Sequence, residues 1–230
     1  MSNAFYSSCL RVVACFGLVI GASQVQAAQL EHLLNDSNDK FEQYQDEAGQ
    51  ALQLVGTLRP SFYWIAMETK DGLPKTHKLL DGQGALIAKI SENFYKKLAM
   101  EGTGHLLDGR VINFKSRIKN PDGTSQIFWR VCGADAPAGY GIGEIPLSPF
   151  RSVAVDPSVI PLGSRVYIPA AKGAVLPDGS IHDGYFAAVD IGDLIQEKKI
   201  DIFTWFGDQE KYFEKVGMET GKLVDVYLVR

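Results

Sequence analysis

Three aspartates stand in surroundings that solvent-facing aspartates avoid. Asp156 ends the run Val153-Ala154-Val155 and precedes Pro157. Asp190 ends Phe186-Ala187-Ala188-Val189 and precedes Ile191-Gly192. Asp201 sits between Ile200 and Ile202-Phe203. A carboxyl framed by apolar β-type residues is partly desolvated, which disfavours its charged form and lets it keep a proton near neutral pH. A general acid needs that property to protonate a leaving oxygen. Each aspartate also has a structural reading. Asp156 before a proline would accept backbone N–H groups in a turn, and Asp190 before Ile191-Gly192 would brace a tight one. Asp201 is the hardest to explain structurally, because both of its neighbours look core-facing. The other acids, such as Asp71, Asp81, Asp122 and Asp178, fall in turn-like stretches where solvation is the default.

The elements that would carry these residues are short strands. From Arg59 onward β-type runs alternate with Gly-rich turns, and the last third reads as strands over 151–156, 164–168, 184–190, 200–205 and 224–229. Gln209–Phe213 reads as a short helix. Many short strands with such turns argue for a mainly β (α+β) chain with a small closed barrel rather than a parallel α/β sheet. Upstream, 61–67 and 76–80 flank Lys70-Asp71-Gly72 as a hairpin. Leu86, Ile90, Phe94 and Leu98 mark a helix of about fifteen residues that Gly102 stops. A second hairpin joins 110–114 to 126–131 through Asn120-Pro121-Asp122-Gly123. Residues 28–58 read as an N-terminal helical segment docked on the body, with Leu30, Leu33 and Leu34 on one face and Phe41, Tyr44, Ala48, Leu52 and Leu54 recurring after it. The chain thus divides into 1–27, 28–58, a hairpin/helix region 59–139 that contributes to or flanks the barrel, and the barrel region 140–230.

Composition narrows the function classes. The chain has 230 residues, 46% hydrophobic and 22% charged, with a net charge of −4. That balance suits a globular fold and offers no electrostatic footprint for a nucleic-acid backbone. Residues 1–27 hold no acid and one base, Arg11, followed by the apolar run Val12–Ala22 and the small-residue ending Val25-Gln26-Ala27-Ala28. This is the pattern of a secretory signal peptide, and its apolar run is too short to span a bilayer stably. Cys15 lies at the start of that run rather than after it, which argues against lipidation there. Signal removal leaves Cys132 as the only cysteine, so the exported chain has no internal disulfide and depends on core packing. His32, His77, His105 and His182 lack ligand spacing and read as surface or turn residues, so no metal or other cofactor is expected. Read from its residues alone, the chain is an exported β-barrel with a candidate acidic site.

Val153-Ala154-Val155-Asp156-Pro157, Ile160-Pro161-Leu162-Gly163, Ala188-Val189-Asp190-Ile191-Gly192 and Ile200-Asp201-Ile202-Phe203 resemble the 3D domain, named for its three aspartates. That domain forms the catalytic six-stranded double-psi β-barrel of the membrane-bound lytic murein transglycosylase A family. Met100–Gly104 and Leu107–Asn113 look like the segment that precedes it. The resemblance implies a peptidoglycan lytic transglycosylase, periplasmic or secreted and monomeric. Such an enzyme cleaves the β-1,4 bond between N-acetylmuramic acid and N-acetylglucosamine with formation of a 1,6-anhydro ring. By position in the motif it implies Asp201 as general acid/base, supported by Asp190 and Asp156. Tyr140, Trp205 and Glu101 are the candidate substrate contacts, while Tyr185 and Phe206 read as core. Two departures concern the loop after Asp190, where Asp193 adds a charge at a position usually small and Gln196 replaces a Lys. The larger transglycosylases also have a separate glycan-groove domain, for which this chain has no obvious room.

Other classes remain open at this level. A non-catalytic cell-wall glycan-binding barrel would use the aspartates only to brace loops. An aspartic peptidase, suggested by Ala188-Val189-Asp190-Ile191-Gly192, would need two facing copies of that element. A metal site at Asp190 and Asp193 would lack most of a Ca²⁺ shell.

Overall fold

The computed structural model describes Tyr44, Gln45 and residues 49–230, so the expected signal peptide and most of the expected N-terminal helix lie outside the described residues. The strands are β1 (Tyr44–Gln45), β2 (Ala51–Tyr63), β3 (Ala66–Met67), β4 (His77–Leu80), β5 (Leu86–Ile90), β6 (Thr103–His105), β7 (Val111–Lys119), β8 (Ser125–Val131), β9 (Ser152–Ala154), β10 (Arg165–Tyr167), β11 (Tyr185–Asp190), β12 (Lys199–Phe203) and β13 (Val224–Val229). Among the described residues two α-helices accompany them, α1 (Glu92–Glu101) and α2 (Lys211–Glu214).

Six strands close into the expected barrel. β2 pairs with β12 in parallel, β12 with β9 antiparallel, β9 with β11 in parallel, β11 with β10 antiparallel and β10 with β13 antiparallel. β13 returns antiparallel onto β2, so these six strands leave no free edge between them. Strand alternation fills the interior: Phe62, Val153, Val166, Phe186, Ala188, Ile200, Ile202 and Val226 meet there, joined by Phe213 of α2. Five of the six strands come from 140–230, and the sixth is β2.

Residues 51–58 therefore correct the helical reading of 28–58 where the structure describes it. Leu58 is buried in the barrel core and Leu52 outside that cluster, both on an extended strand and not on a helix face. A bulge between Val226 and Tyr227 opposite Gly56 and Leu54 disturbs the period and hides the strand pattern.

The region 66–131 forms a second six-stranded sheet in the order β3-β6-β7-β8-β4-β5. Its core includes Leu79, Ile90, Ile112 and Trp129, with Phe94 and Leu98 of α1 packed on it. Barrel and second sheet belong to one compact unit, Gln45–Arg230. The hairpin expected around Lys70-Asp71-Gly72 does not form: β3 pairs with β6, while β4 pairs with β5 and β8. The hairpin β7–β8 does form through 120–124. The fifteen-residue helix is a strand followed by a shorter helix. Ser91 caps α1, its hydroxyl accepting from the Phe94 amide, and Gly102 closes it in a left-handed conformation with φ 74°. Leu86 and Ile90 fit helical spacing, but an even step of four also fits a strand, and the cap at Ser91 decides between them.

Candidate active site

The outward face of the barrel carries the site. Ile200 and Ile202 point into the barrel, so Asp201 and Phe203 point out, as do Ser61 and Tyr63 on β2 around the inward Phe62. Asp201 lies opposite Ser61 in the β2–β12 register and accepts its hydroxyl at Oδ1 over 2.8 Å. Its Oδ2 takes no hydrogen bond among the described residues.

Asp190 reaches the same face by a different route. Phe186 and Ala188 point inward, and strict alternation would aim Asp190 inward too. The register of β11 on β9 shifts between Ala188 and Asp190, so Asp190 pairs with Ala154 and Val189 is the extra residue. Such a bulge re-aims a side chain. Asp190 then accepts the Tyr63 hydroxyl at Oδ2 and the Ile191 amide at Oδ1, both over 2.9 Å. Asp201 also pairs with Ala154, from its other side, so the two aspartates flank one residue of the central strand β9. Ile65, Ala138, Leu147, Val189 and Phe203 pack beneath them with Tyr63. Burial of each large apolar side chain there contributes about 1.5–3 kcal/mol, which holds the acidic face rigid.

Burial dominates the electrostatics. It pushes Asp201 up to about 6, against the lowering effect of Ser61. It pushes Asp190 up to about 6 as well, opposed by the Tyr63 and Ile191 bonds and aided by the charge of Asp201. Glu101, the last residue of α1, rises to about 7, chiefly from burial and also from Asp201, against a bond from the Trp64 amide of 3.4 Å.

A cleft of about 700 Å³ adjoins this face. One wall comes from the sheet body, with Met100, Glu101, Thr103, Asn113, Phe114, Lys115, Arg117 and Arg130. The other comes from Tyr140–Glu144 and Asp190–Asp193. Asp201 does not line it but lies within electrostatic reach of Asp190 and Glu101, which do. Gly141 makes the wall possible, since a Cβ there would sit 2.2 Å from the Val189 carbonyl oxygen. Charges face each other across the cleft. Arg117 pairs with Asp193 at 3.0 Å, and Lys115 and Arg130 both reach Glu144. The unusual Asp193 thus ties its loop to the sheet body.

Tyr140 lies at the cleft, its ring 4.3 Å from the Arg130 guanidinium. Asp156 does not share the environment of the other two acids. It accepts the amides of Ser158 and Glu197 and the Ser158 hydroxyl, bonds that hold its carboxyl below the usual range instead of above it. The turn reading describes it. Trp205 is likewise displaced from the cleft: it lines a separate cavity of about 550 Å³ with Phe206, Pro149 and Leu176. Phe206 is 39% exposed there rather than core. His182 is fully buried, not a surface or turn residue. Its Nε2 donates to the Phe150 carbonyl, its Nδ1 accepts the Gly184 amide, and burial drops it to about 4. Sequence reasoning missed Ser61, Tyr63 and Phe114. The alternation Ser61-Phe62-Tyr63 was the one available signal, since it puts two hydroxyls on one strand face.

Residues 151–229 match the 3D domain. The fold is similar to the crystal structure of Escherichia coli MltA with bound chitohexaose, with a TM-score of 0.54 and 12% identity over 79% of this chain and 75% of that one. A membrane-bound lytic murein transglycosylase from Agrobacterium tumefaciens aligns at a TM-score of 0.49 and 16% identity, covering 80% of this chain and 77% of that one.

Proposed function

From a chain that carries a 3D domain and has a fold similar to that of the lytic transglycosylase MltA, we propose an exported peptidoglycan lytic transglycosylase with Asp201 as its general acid/base. The observation that carries this reading is the pair of desolvated aspartates flanking Ala154 beside a cleft lined by the second sheet, α1 and the loops 140–144 and 190–193. The glycan strand would lie in that cleft and extend past Asp190 to Asp201 on the other side of Ala154, with Phe114, 38% exposed, and Tyr140 offering ring faces to the sugars. The leader-like residues 1–27 support delivery to the periplasm or beyond, where peptidoglycan is found.

The chemistry follows from the hydrogen bonds. A proton donor needs an oxygen that nothing else occupies. Among the described residues nothing bonds Asp201 Oδ2, whereas both oxygens of Asp190 accept N–H or O–H groups. Asp201 therefore gives its proton to the glycosidic oxygen as the C1–O bond of the muramoyl unit breaks. Its carboxylate then takes the proton from the C6 hydroxyl while that oxygen bonds to C1 and closes the 1,6-anhydro ring. The acid is regenerated, no water is consumed, and one carboxyl does what ordinary glycosidases divide between two. The Asp190 carboxylate, held by two donors, stabilises the positive charge that develops at C1.

The test is mass spectrometry of sacculi digested with the exported form of the protein, beside Asp201→Asn. Products ending in 1,6-anhydro-muramic acid, absent from the variant, are the expected result. Reducing-end products would replace the reading with a hydrolase. Co-sedimentation with sacculi and no products would replace it with a glycan-binding barrel.

A further inference from the structure

We propose that Tyr63 is a positioning residue that decides which of the two aspartates carries the proton, keeping Asp190 ionised so that Asp201 is the acid. This inference rests on the transglycosylase reading of the site. The two carboxyls sit on either side of Ala154 in similarly apolar surroundings, so burial alone does not distinguish them. Their hydrogen-bond donors do. The Ile191 amide at Asp190 Oδ1 can only donate, and the Tyr63 hydroxyl donates to Oδ2. A carboxyl facing two donors is favoured as the anion. Among the described residues Asp201 faces only the Ser61 hydroxyl, a rotor that accepts from a protonated carboxyl as readily as it donates to an ionised one.

Tyr63 is suited to this task by its setting. Its ring packs 5.1 Å from that of Phe203, and its carbonyl accepts the Thr204 amide, so both ring and backbone are held. Its hydroxyl faces three acids from three elements, Asp190 on β11, Asp201 on β12 and Glu101 on α1, which together with burial keep the phenol protonated and donating. Among the described residues no cation acts on it.

In Tyr63→Phe the ring stays and the donor goes. Asp190 then binds a proton at higher pH, and the charge opposite the developing cation is lost over part of the working range. The acid limb of the pH–rate profile on sacculi moves up by about one unit, and the maximal rate falls roughly tenfold. KM and the alkaline limb stay in place. Ser61→Ala removes the donor at Asp201 and moves the alkaline limb upward instead. A Tyr63→Phe profile whose limbs do not move, or move together, overturns the proposal. Carboxyl carbon-13 NMR titration of the full chain reads Asp190 and Asp201 directly. An Asp190 titration that is the same in Tyr63→Phe as in wild type overturns it too. Wild type that yields no anhydro products would defeat the transglycosylase reading, while the titration would still test the proton assignment.

Discussion

Replacing Asp201 by Asn removes a charge that burial makes costly while keeping the shape of the side chain. The folded carboxyl titrates near 6 against an ordinary value of 3.8, so the folded state binds its proton more tightly than the unfolded chain does. For a raised acid the cost is absent at low pH, grows as pH rises between these two values, and is complete above about 6. At pH 7.5 it amounts to about 3 kcal/mol, and at pH 4 to about 0.5 kcal/mol. Asp201 keeps some contact with solvent, so the larger figure is a ceiling. The Ser61 hydroxyl can donate to the Asn carbonyl oxygen as it does to Asp201 Oδ1. Asp201→Asn should therefore unfold at a higher temperature than wild type at pH 7.5, by at most about 6–12 °C, and by only about 1–2 °C at pH 4. It should at the same time form no anhydro-muropeptides. Paired thermal scans at the two pH values, with digests of sacculi, check both halves. A variant that melts below wild type at pH 7.5, or gains equally at both pH values, would refute the claim that this carboxyl is held desolvated for function.

Other substitutions probe the walls of the cleft. Gly141→Ala drives a methyl into the Val189 carbonyl, and loop 140–144 must shift at a cost of about 1–3 kcal/mol, read as a lower Tm together with reduced turnover. Phe114→Ala should raise KM for glycan roughly tenfold with kcat little changed, as expected when one ring face is lost. Trp205→Ala, altered outside the cleft, should leave KM near wild type, and equal KM effects from the two would contradict this assignment of the sugar platform. Asp193→Asn releases the tie to Arg117, so KM should fall about two- to threefold at low salt, and the difference should vanish near 0.5 M salt, where exposed pairs are screened.

Most of the barrel was legible because its strands carry their own period and their own turns. The runs around 153, 166, 187 and 201 and the β7–β8 hairpin were visible as alternating or apolar stretches. Misreadings arose where a local pattern served two structures equally well. Leu86 and Ile90 suit a helix or a strand, and a bulge at Gly56 broke the period of β2 so that its start passed for helix. The hairpin around Asp71 failed because β3 found its partner in β6, a choice no local turn signal reveals.

What the sequence determined by itself was the chemistry in store: three carboxyls flanked by apolar strand residues, each a candidate for desolvation. Tertiary structure decided which of these acids work together. Asp156, identical in type and similar in flanking residues, was taken by the amides of Ser158 and Glu197, because its carboxylate lies where backbone donors converge. Asp190 was turned to the outer face by one extra residue in β11, and its partner Tyr63 lies 127 residues away on a strand brought alongside only by barrel closure. Asp201 met Ser61 across 140 residues in the same way. Local sequence places a carboxyl among apolar neighbours, but whether it is buried, and which distant hydroxyls meet it, is fixed only once the barrel has closed.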